Sequence, residues 1–321
     1  MPWDQIKIPD AEYNVRLLAA GTDSIPLYWG KDTGGHCLFI IELQGDHSEQ
    51  FQKDSTTVHG ISLDLRAFDN PSKQRLVLKL EKHVDQDIFL SLCETLIRSL
   101  HPLTDPVVAL AVTLTHIKRW KTFMSGRKSR FLSHEELRGL FGELQFLRFL
   151  YQRRLDEKAA VEAWVGPEGG HQDFIFGNTA VEIKSVSGKE RNTVRISSED
   201  QLETLCDNLF LVIFRLNEMS ESNQTMSLNA LVRLIEEELN DTDAVAVEEL
   251  LRRLAAYGYI EIDEYDAPKF VVATRQAYCV DNGFPRLICS RIPEGIVRTT
   301  YEIELEKISA FKCDMVRVTE N

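Results

Sequence analysis

The chain has no run of apolar residues long enough to span a bilayer, and its first residues, Met1-Pro-Trp-Asp-Gln5, lack the basic-then-apolar pattern of a secretion signal. No membrane partner is expected, and the cytoplasm is the expected address. Cysteines are scattered: Cys37, Cys93, Cys206, Cys279, Cys289 and Cys313 have no paired metal-ligand spacing, which argues against a zinc ribbon or a disulfide scaffold. His36, His47, His59 and His83 lack ligand spacing too and read as structural. Gly34-Gly35-His36 is a turn, too thin a signal for a phosphate loop. Basic residues are the minority, 37 Lys and Arg against 50 Asp and Glu, and the formal charge of −13 excludes a surface coated for nucleic acid.

What is present is a composition of globular type, 43% hydrophobic and 27% charged, in 321 residues, enough for about two domains. The charge is uneven. Residues 116–154 carry 10 Lys and Arg against 3 Asp and Glu, whereas residues 198–321 carry 12 against 24. The one basic segment runs directly toward a hairpin signal described below, where a phosphate backbone would have to be held. The same segment also fits an ordinary solvated helix surface.

Residues 1 to about 82 read as β-rich, with Cys37–Leu43, Gly60–Leu65 and Arg75–Leu80 alternating or running apolar between Gly, Asp and Pro turns. Asp85 to Leu100 and Asp105 to Phe123 show helical spacing, with Pro102 and Pro106 bracketing the break. Lys118, Arg119, Lys121, Arg127, Lys128 and Arg130 follow, interleaved with Trp120 and Phe123, a pattern that suits phosphate contact and base stacking or a linker into a second domain. Ser133-His-Glu-Glu136 is a capping box, opening a helix with the stripe Leu137, Leu140, Phe141, Leu144, Leu147, Leu150 and Tyr151. Glu143 lies along that stripe and needs a partner, Arg148, Arg153 or solvent among them.

The chemistry gathers at residues 171–184. Phe174–Phe176 and Ala180–Val186 are β-rich runs joined by Gly177-Asn178, a two-residue hairpin signal. Counting across that turn sets Phe174 against Val181 and Asp173 against Glu182, with Cβ atoms about 5 Å apart. Lys184 shares the face of Glu182, while Phe174, Phe176, Val181 and Ile183 point to the other face and are free to be buried. Facing carboxylates repel unless something positive lies between them, and a hard divalent cation such as Mg2+ takes carboxylates, waters and substrate phosphate as ligands. Lys184 then stands beside a water that such an ion acidifies. A merely solvated amphipathic ribbon is the alternative. The chain's other acid-x-Lys triplet, Asp156-Glu157-Lys158, falls in a helical pattern, where residues two apart do not share a face.

Past the hairpin, Lys189, Arg191 and Arg195 are placed to flank a DNA groove, and Ser198-Glu-Asp-Gln201 reads as a capping box opening a helix. Phe210–Phe214 reads as a fully buried central strand. Residues 227–273 read as two helices and a hairpin, winged-helix-like. The acidic residues Glu236, Glu237, Glu238, Asp241, Asp243, Glu261, Asp263, Glu264 and Asp266 oppose DNA contact there and favour packing or protein contact. Phe284–Cys289 and Thr300–Leu305 read as strands returning to extend a sheet.

The spacing Asp173, eight residues, Glu182-x-Lys184 resembles the PD-(D/E)XK nuclease superfamily, with Gln172 where the superfamily pattern has Pro. The wider layout, with Leu254-Ala-Ala-Tyr-Gly-Tyr259 and Asn282-Gly-Phe-Pro-Arg286, is similar to a bacterial family of PD-(D/E)XK proteins linked to restriction and phage defence. The resemblance implies an α/β (α+β) fold: a restriction-endonuclease-like core with a central mixed sheet in residues 131–321, a β-rich domain with two trailing helices in residues 1–130, and the winged-helix-like insertion. It implies a Mg2+- or Mn2+-dependent DNA endonuclease in which Asp173, Glu182 and the Ile183 carbonyl hold the metal. Glu143 acts from the preceding helix, often through water, Lys184 activates the attacking water, and Gln201 matches a residue that assists some members. DNA, other defence proteins and a second copy of the chain are the implied partners. A non-cutting interaction subunit that keeps the fold and docks partners through its acidic half is the reading from another class.

Overall fold

Ser133 caps its helix as the capping box predicts, and Asp85 caps another. In the computed structural model the Asp85 side chain accepts the Asp87 N–H, and Ser133 and Glu136 exchange the reciprocal bonds of a capping box. The structure describes residues 1–10, 13–17, 25–56, 58, 60–67, 72–81, 85–125, 131–188, 192–219, 225–240 and 243–320. It is a mixed α/β protein that divides into two units, Met1–Ser129 and Arg130–Asn321. No helix among the described residues is long and apolar enough to cross a membrane.

The first unit is built on an antiparallel sheet of β1 (Tyr13–Leu17), β2 (Leu27–Asp32), β3 (Cys37–Gln44), β4 (Ile61–Ala67) and β5 (Lys73–Leu80), in the order β1-β2-β3-β5-β4. With it go the helices α1 (Ser48–Asp54), α2 (Gln86–Leu100) and α3 (Pro106–Ser125). β3 is buried from Cys37 to Leu43, as a central strand must be. Trp3 stacks on Phe89 at 5.5 Å and donates its indole N–H to the Leu38 carbonyl, which satisfies the one polar group this large side chain takes into the core. Trp120 and Phe123 belong to this core as well, at 3% and 0% exposure, so they are not free to stack on a base. Three residues apart on α3, they share its inner face, while Lys118 and Lys121 lie on the outer one.

His116 on α3 places Nε2 3.0 Å from Ser99 Oγ, and burial, with repulsion from Arg119 and Arg98, holds its pKa down to about 4. The unfolded imidazole takes up its proton near pH 6.5 and the folded one only near 4. Stability present above pH 6.5 is therefore lost as pH falls toward 4, by about 2–3 kcal/mol from this group after solvent screening. Thermal unfolding of the full chain followed from pH 7 to 4 should show wild type losing more stability than His116→Gln by about this amount; parallel curves would contradict it.

The second unit opens with α4 (His134–Arg153) and α5 (Glu157–Ala163), followed by β6 (Phe174–Phe176), β7 (Thr179–Ser187), β8 (Thr193–Ile196), β9 (Asn208–Glu218) and β10 (Met226–Ser227). Then come α6 (Leu228–Asn240), α7 (Ala244–Tyr257), β11 (Lys269–Cys279), β12 (Tyr301–Glu304), β13 (Lys312–Cys313) and α8 (Met315–Glu320). The main sheet is mixed, in the order β10-β11-β9-β7-β6, with β13 on the side of β11. β7 pairs parallel with β9, and every other neighbour is antiparallel. α4 packs on β7 so closely that a Cβ at Gly142 would stand 2.0 Å from Ser185 Oγ, so any larger residue there would have to turn that hydroxyl away. That contact sets Glu143, the next residue, against the sheet.

Three expected elements differ. Ser198–Gln201 opens only a 3-10 turn, Glu199–Leu202, because Ser198 Oγ accepts the Asp200 N–H and the Gln201 side chain turns back to the Ser197 N–H at 2.8 Å. The strand expected in the wing is β11, an eleven-residue strand of the main sheet paired with β9, and the acidic run before it is a 3-10 turn, Asp263–Asp266. Among the described residues no hairpin follows α7. Phe284–Ile288 is irregular, and β12 pairs β8 in a separate two-stranded sheet instead of extending the main one.

Candidate active site

The register obtained by counting holds: Phe174 faces Val181, Ile175 faces Ala180 and Phe176 faces Thr179, across a turn in which Gly177 has φ 54°. Phe174, Phe176, Val181 and Ile183 are buried, and Phe174 meets Phe146 of α4 edge-on at 4.8 Å. Each such aromatic or branched side chain contributes roughly 2 kcal/mol by leaving water, and a slip by one residue, which would turn all four to the face that holds Glu182 and Lys184 and bring those charges into their place, is strongly disfavoured. Asn178 fixes the far side of the turn by accepting the Asp207 N–H at 3.0 Å.

One position before β6, Asp173 leaves the ladder. Its backbone carbonyl accepts the N–H groups of Val165 at 2.9 Å and Gly166 at 3.0 Å, and its Oδ2 accepts the Ile183 N–H at 2.7 Å. In an antiparallel pair a residue's N–H and C=O point to the same side, so the Ile183 carbonyl faces the Asp173 edge too. Glu182, at 1% exposure, is the most enclosed of the acids, and neither of its oxygens takes part in a hydrogen bond. Lys184 Nζ stands 2.7 Å from Glu182 Oε1 as an ion pair. The same ammonium donates to Gln201 Oε1 at 3.1 Å.

Glu143 is buried at 7% exposure and accepts the Trp164 indole N–H at 2.8 Å, and burial and then the Glu143 charge raise the nearby Tyr257 phenol. Arg148, one of the partners considered for it, forms a fork with Glu238 of α6 at 2.8 and 2.5 Å. The four groups feel one another. Burial, then Asp173, raises Glu143 well above the usual carboxylate range, although the Trp164 bond opposes the rise. Burial raises Asp173 against the pull of Lys184 and the Ile183 N–H. Burial and then Asp173 push Glu182 up to about 8, with Lys184 opposing. For Lys184 burial favours the neutral amine, but Glu182 and Asp173 outweigh it and hold the ammonium above its ordinary value. Three acids against one amine leave a deficit of two positive charges when all are ionised.

Their oxygens do not all converge. Among the described residues, ligand atoms within 4.8 Å of one another are found at Glu199, Asp200 and Cys289, a group with the donor chemistry of a metal site, and not at Glu143, Asp173 and Glu182 together. Asp173 and Glu182 come from the hairpin and Glu143 from α4, and each acid feels the charge of Lys184. Of the basic residues expected to meet DNA, Lys118 and Lys121 are exposed on α3, near Asp54 at 3.9 Å and bonded to Thr56 at 2.9 Å. Arg119 is half-buried on the same helix. Arg195 is exposed on β8, opposite Glu302. Arg127, Lys128, Arg130, Lys189 and Arg191 lie outside the described residues, as do Asp241, His59 and His83.

Gln201 serves both the turn and Lys184, and no local pattern in the sequence pairs Trp164 or Tyr257 with Glu143. The buried Trp between α5 and a Pro-Gly turn was the one hint, since its indole must find an acceptor.

No curated protein and no solved structure matches the chain. One family model does, over residues 1–306, and it bears out the resemblance drawn from the hairpin: the chain belongs to the family described as "Putative PD-(D/E)XK family member, (DUF4420)".

Proposed function

We propose that the chain is a Mg2+- or Mn2+-dependent DNA endonuclease that hydrolyses phosphodiester bonds within a bacterial restriction or phage-defence system. The observation that carries this reading is Glu182, a carboxylate enclosed in the protein whose charged partner, Lys184 at 2.7 Å, also answers to Asp173 and Glu143. Burying an ionised carboxylate with so little compensation costs several kcal/mol, and a hard divalent cation is the partner whose charge and oxygen preference fit. Asp173, Glu182 and the Ile183 carbonyl would hold it, with Glu143 acting through water. When bound, the ion offsets charge on the attacked phosphate and acidifies water.

Lys184 stays protonated, held between Glu182 and Gln201, so it orients the attacking water and stabilises developing negative charge instead of taking a proton. Gln201 fixes the ammonium through its amide oxygen. The order α4, β6–β7 hairpin, β9 agrees with a restriction-endonuclease-like core in residues 131–321, with a 3-10 turn where that core has its second helix. Residues 1–130 form a β-rich domain on this reading, the basic residues from Lys118 to Arg130 are proposed DNA contacts, as separately are Lys189, Arg191 and Arg195, and α6–α7 packs rather than reads DNA. Other defence proteins and a second copy of the chain are its proposed partners, and the cytoplasm its address.

Supercoiled plasmid incubated with the purified chain, alone and with candidate partner proteins, should be nicked or linearised with Mg2+ or Mn2+ and left intact with chelator. Cleavage indifferent to chelator, or none under any of these conditions, would contradict the proposal, the latter in favour of a non-cutting interaction subunit.

A further inference from the structure

We infer that α7 is a wall of the active site, with Tyr257 and Trp164 as positioning residues that fix the Glu143 carboxylate and, through the backbone, Asp173; this rests on the metal-site reading above. Trp164 holds Glu143 by its indole N–H at 2.8 Å, and its ring faces that of Tyr257 at 6.4 Å with an interplanar angle of 29°. The Tyr257 ring stands beside that indole, and its hydroxyl lies 3.5 Å from where a Cβ at Gly139, one turn before Glu143 on the same helix, would stand. The residues after Trp164, Val165 and Gly166, clasp the Asp173 carbonyl. One short segment therefore grips both acids.

That segment is gripped in turn by α7. Arg253, one turn before Tyr257 and on the same face, is buried at 6% exposure and donates Nη1 to the Trp164 carbonyl. Its guanidinium is aimed by Glu249 at 2.7 Å and Glu168 at 3.3 Å. The helix ends directly after Tyr257, where Gly258 adopts φ 99°, so the phenol projects from the last turn. The Leu254–Tyr259 motif, otherwise without a task, thus carries one tyrosine toward the acids and one away: the Tyr259 hydroxyl bonds Asn229 at 2.8 Å and its ring stacks on Tyr265. Neutral donors on an acid near a metal restrict its rotamers, and removing such a donor commonly weakens metal affinity about 10–100-fold.

Mn2+ binding to the full chain, measured by calorimetry or by the loss of the free-ion electron paramagnetic resonance signal, separates this from a merely structural role. Tyr257→Phe should weaken binding about tenfold and raise the Mn2+ needed for half-maximal plasmid cleavage by the same factor, with the rate at saturating metal near wild type. Tyr259→Phe, which loses the other phenol of the same motif, one whose hydroxyl bonds Asn229, should leave affinity within twofold. Wild-type affinity in Tyr257→Phe, or an equal loss in both variants, would overturn the positioning role while leaving the metal site intact. A wild-type chain that binds no Mn2+, or binds it equally well as Asp173→Asn and Glu182→Gln, would overturn the metal site and the positioning role together.

Discussion

Lys184→Met is expected to lower plasmid cleavage about 10^3-fold at saturating Mg2+ while the far-UV circular dichroism stays that of the wild type. The size follows from what the ammonium does. It is the one cation among three acids, 2.7 Å from Glu182 and tied to Gln201 at 3.1 Å, so its charge is aimed before substrate arrives. Losing a preorganised group of that kind typically costs 10^2–10^3-fold in rate. Methionine matches much of the stem and removes the charge. Lys184→Arg retains the charge but spreads it over a planar fork that does not fit the Gln201 and Glu182 geometry, so it should recover only part of the rate. Asp173→Asn should be as damaging as Lys184→Met, because it removes a ligand charge while its amide can still meet the Ile183 strand. Wild-type turnover in Lys184→Met would remove the residue from the chemistry.

How this site could be read from sequence, and where reading failed, follows from the range of the interactions. The Asp173, Glu182 and Lys184 grouping was legible because a two-residue turn fixes register by counting, and counting needs no tertiary information. α4 was legible because a capping box and a helical stripe are both local. Trp164 and Tyr257 meet Glu143 from distant parts of the chain, and no periodicity announces such a meeting. Gln201 was obscured by its own neighbours: Ser-x-x-Gln is a helix-start pattern, and only the fold shows that the amide oxygen that accepts the Ser197 N–H accepts Lys184 as well. The wing failed for a similar reason. Lys269–Cys279 is plainly a strand by composition, but composition does not say which sheet a strand joins. Trp120 and Phe123 were misread because basic residues around an aromatic look alike on a linker and on a helix whose inner face is apolar.

Glu182→Gln is expected to make the metal-free protein more stable, and the gain should depend on pH in a way that identifies its source. In the folded chain burial and Asp173 push the Glu182 carboxyl up to about 8, against 4.5 for the ordinary group. A raised carboxyl contributes its stability below the unfolded value, and that contribution is lost as pH rises through the folded one. Wild type in chelator should therefore weaken from about pH 4.5 to 8 and then level off, by roughly 4 kcal/mol from this group. Glutamine keeps the shape and never ionises. After about 1 kcal/mol for an amide that finds few partners, the variant should exceed wild type by about 3 kcal/mol at pH 9, or roughly 6–12 °C in Tm for a domain of this size, and by little at pH 5. Mn2+ should then close the gap from the other side, raising the Tm of wild type by mass action and leaving the variant unmoved. A less stable Glu182→Gln at pH 9, or a gain that ignores pH, would mean that Glu182 is satisfied within the protein and that the argument for a cation between it and Asp173 has lost its physical ground.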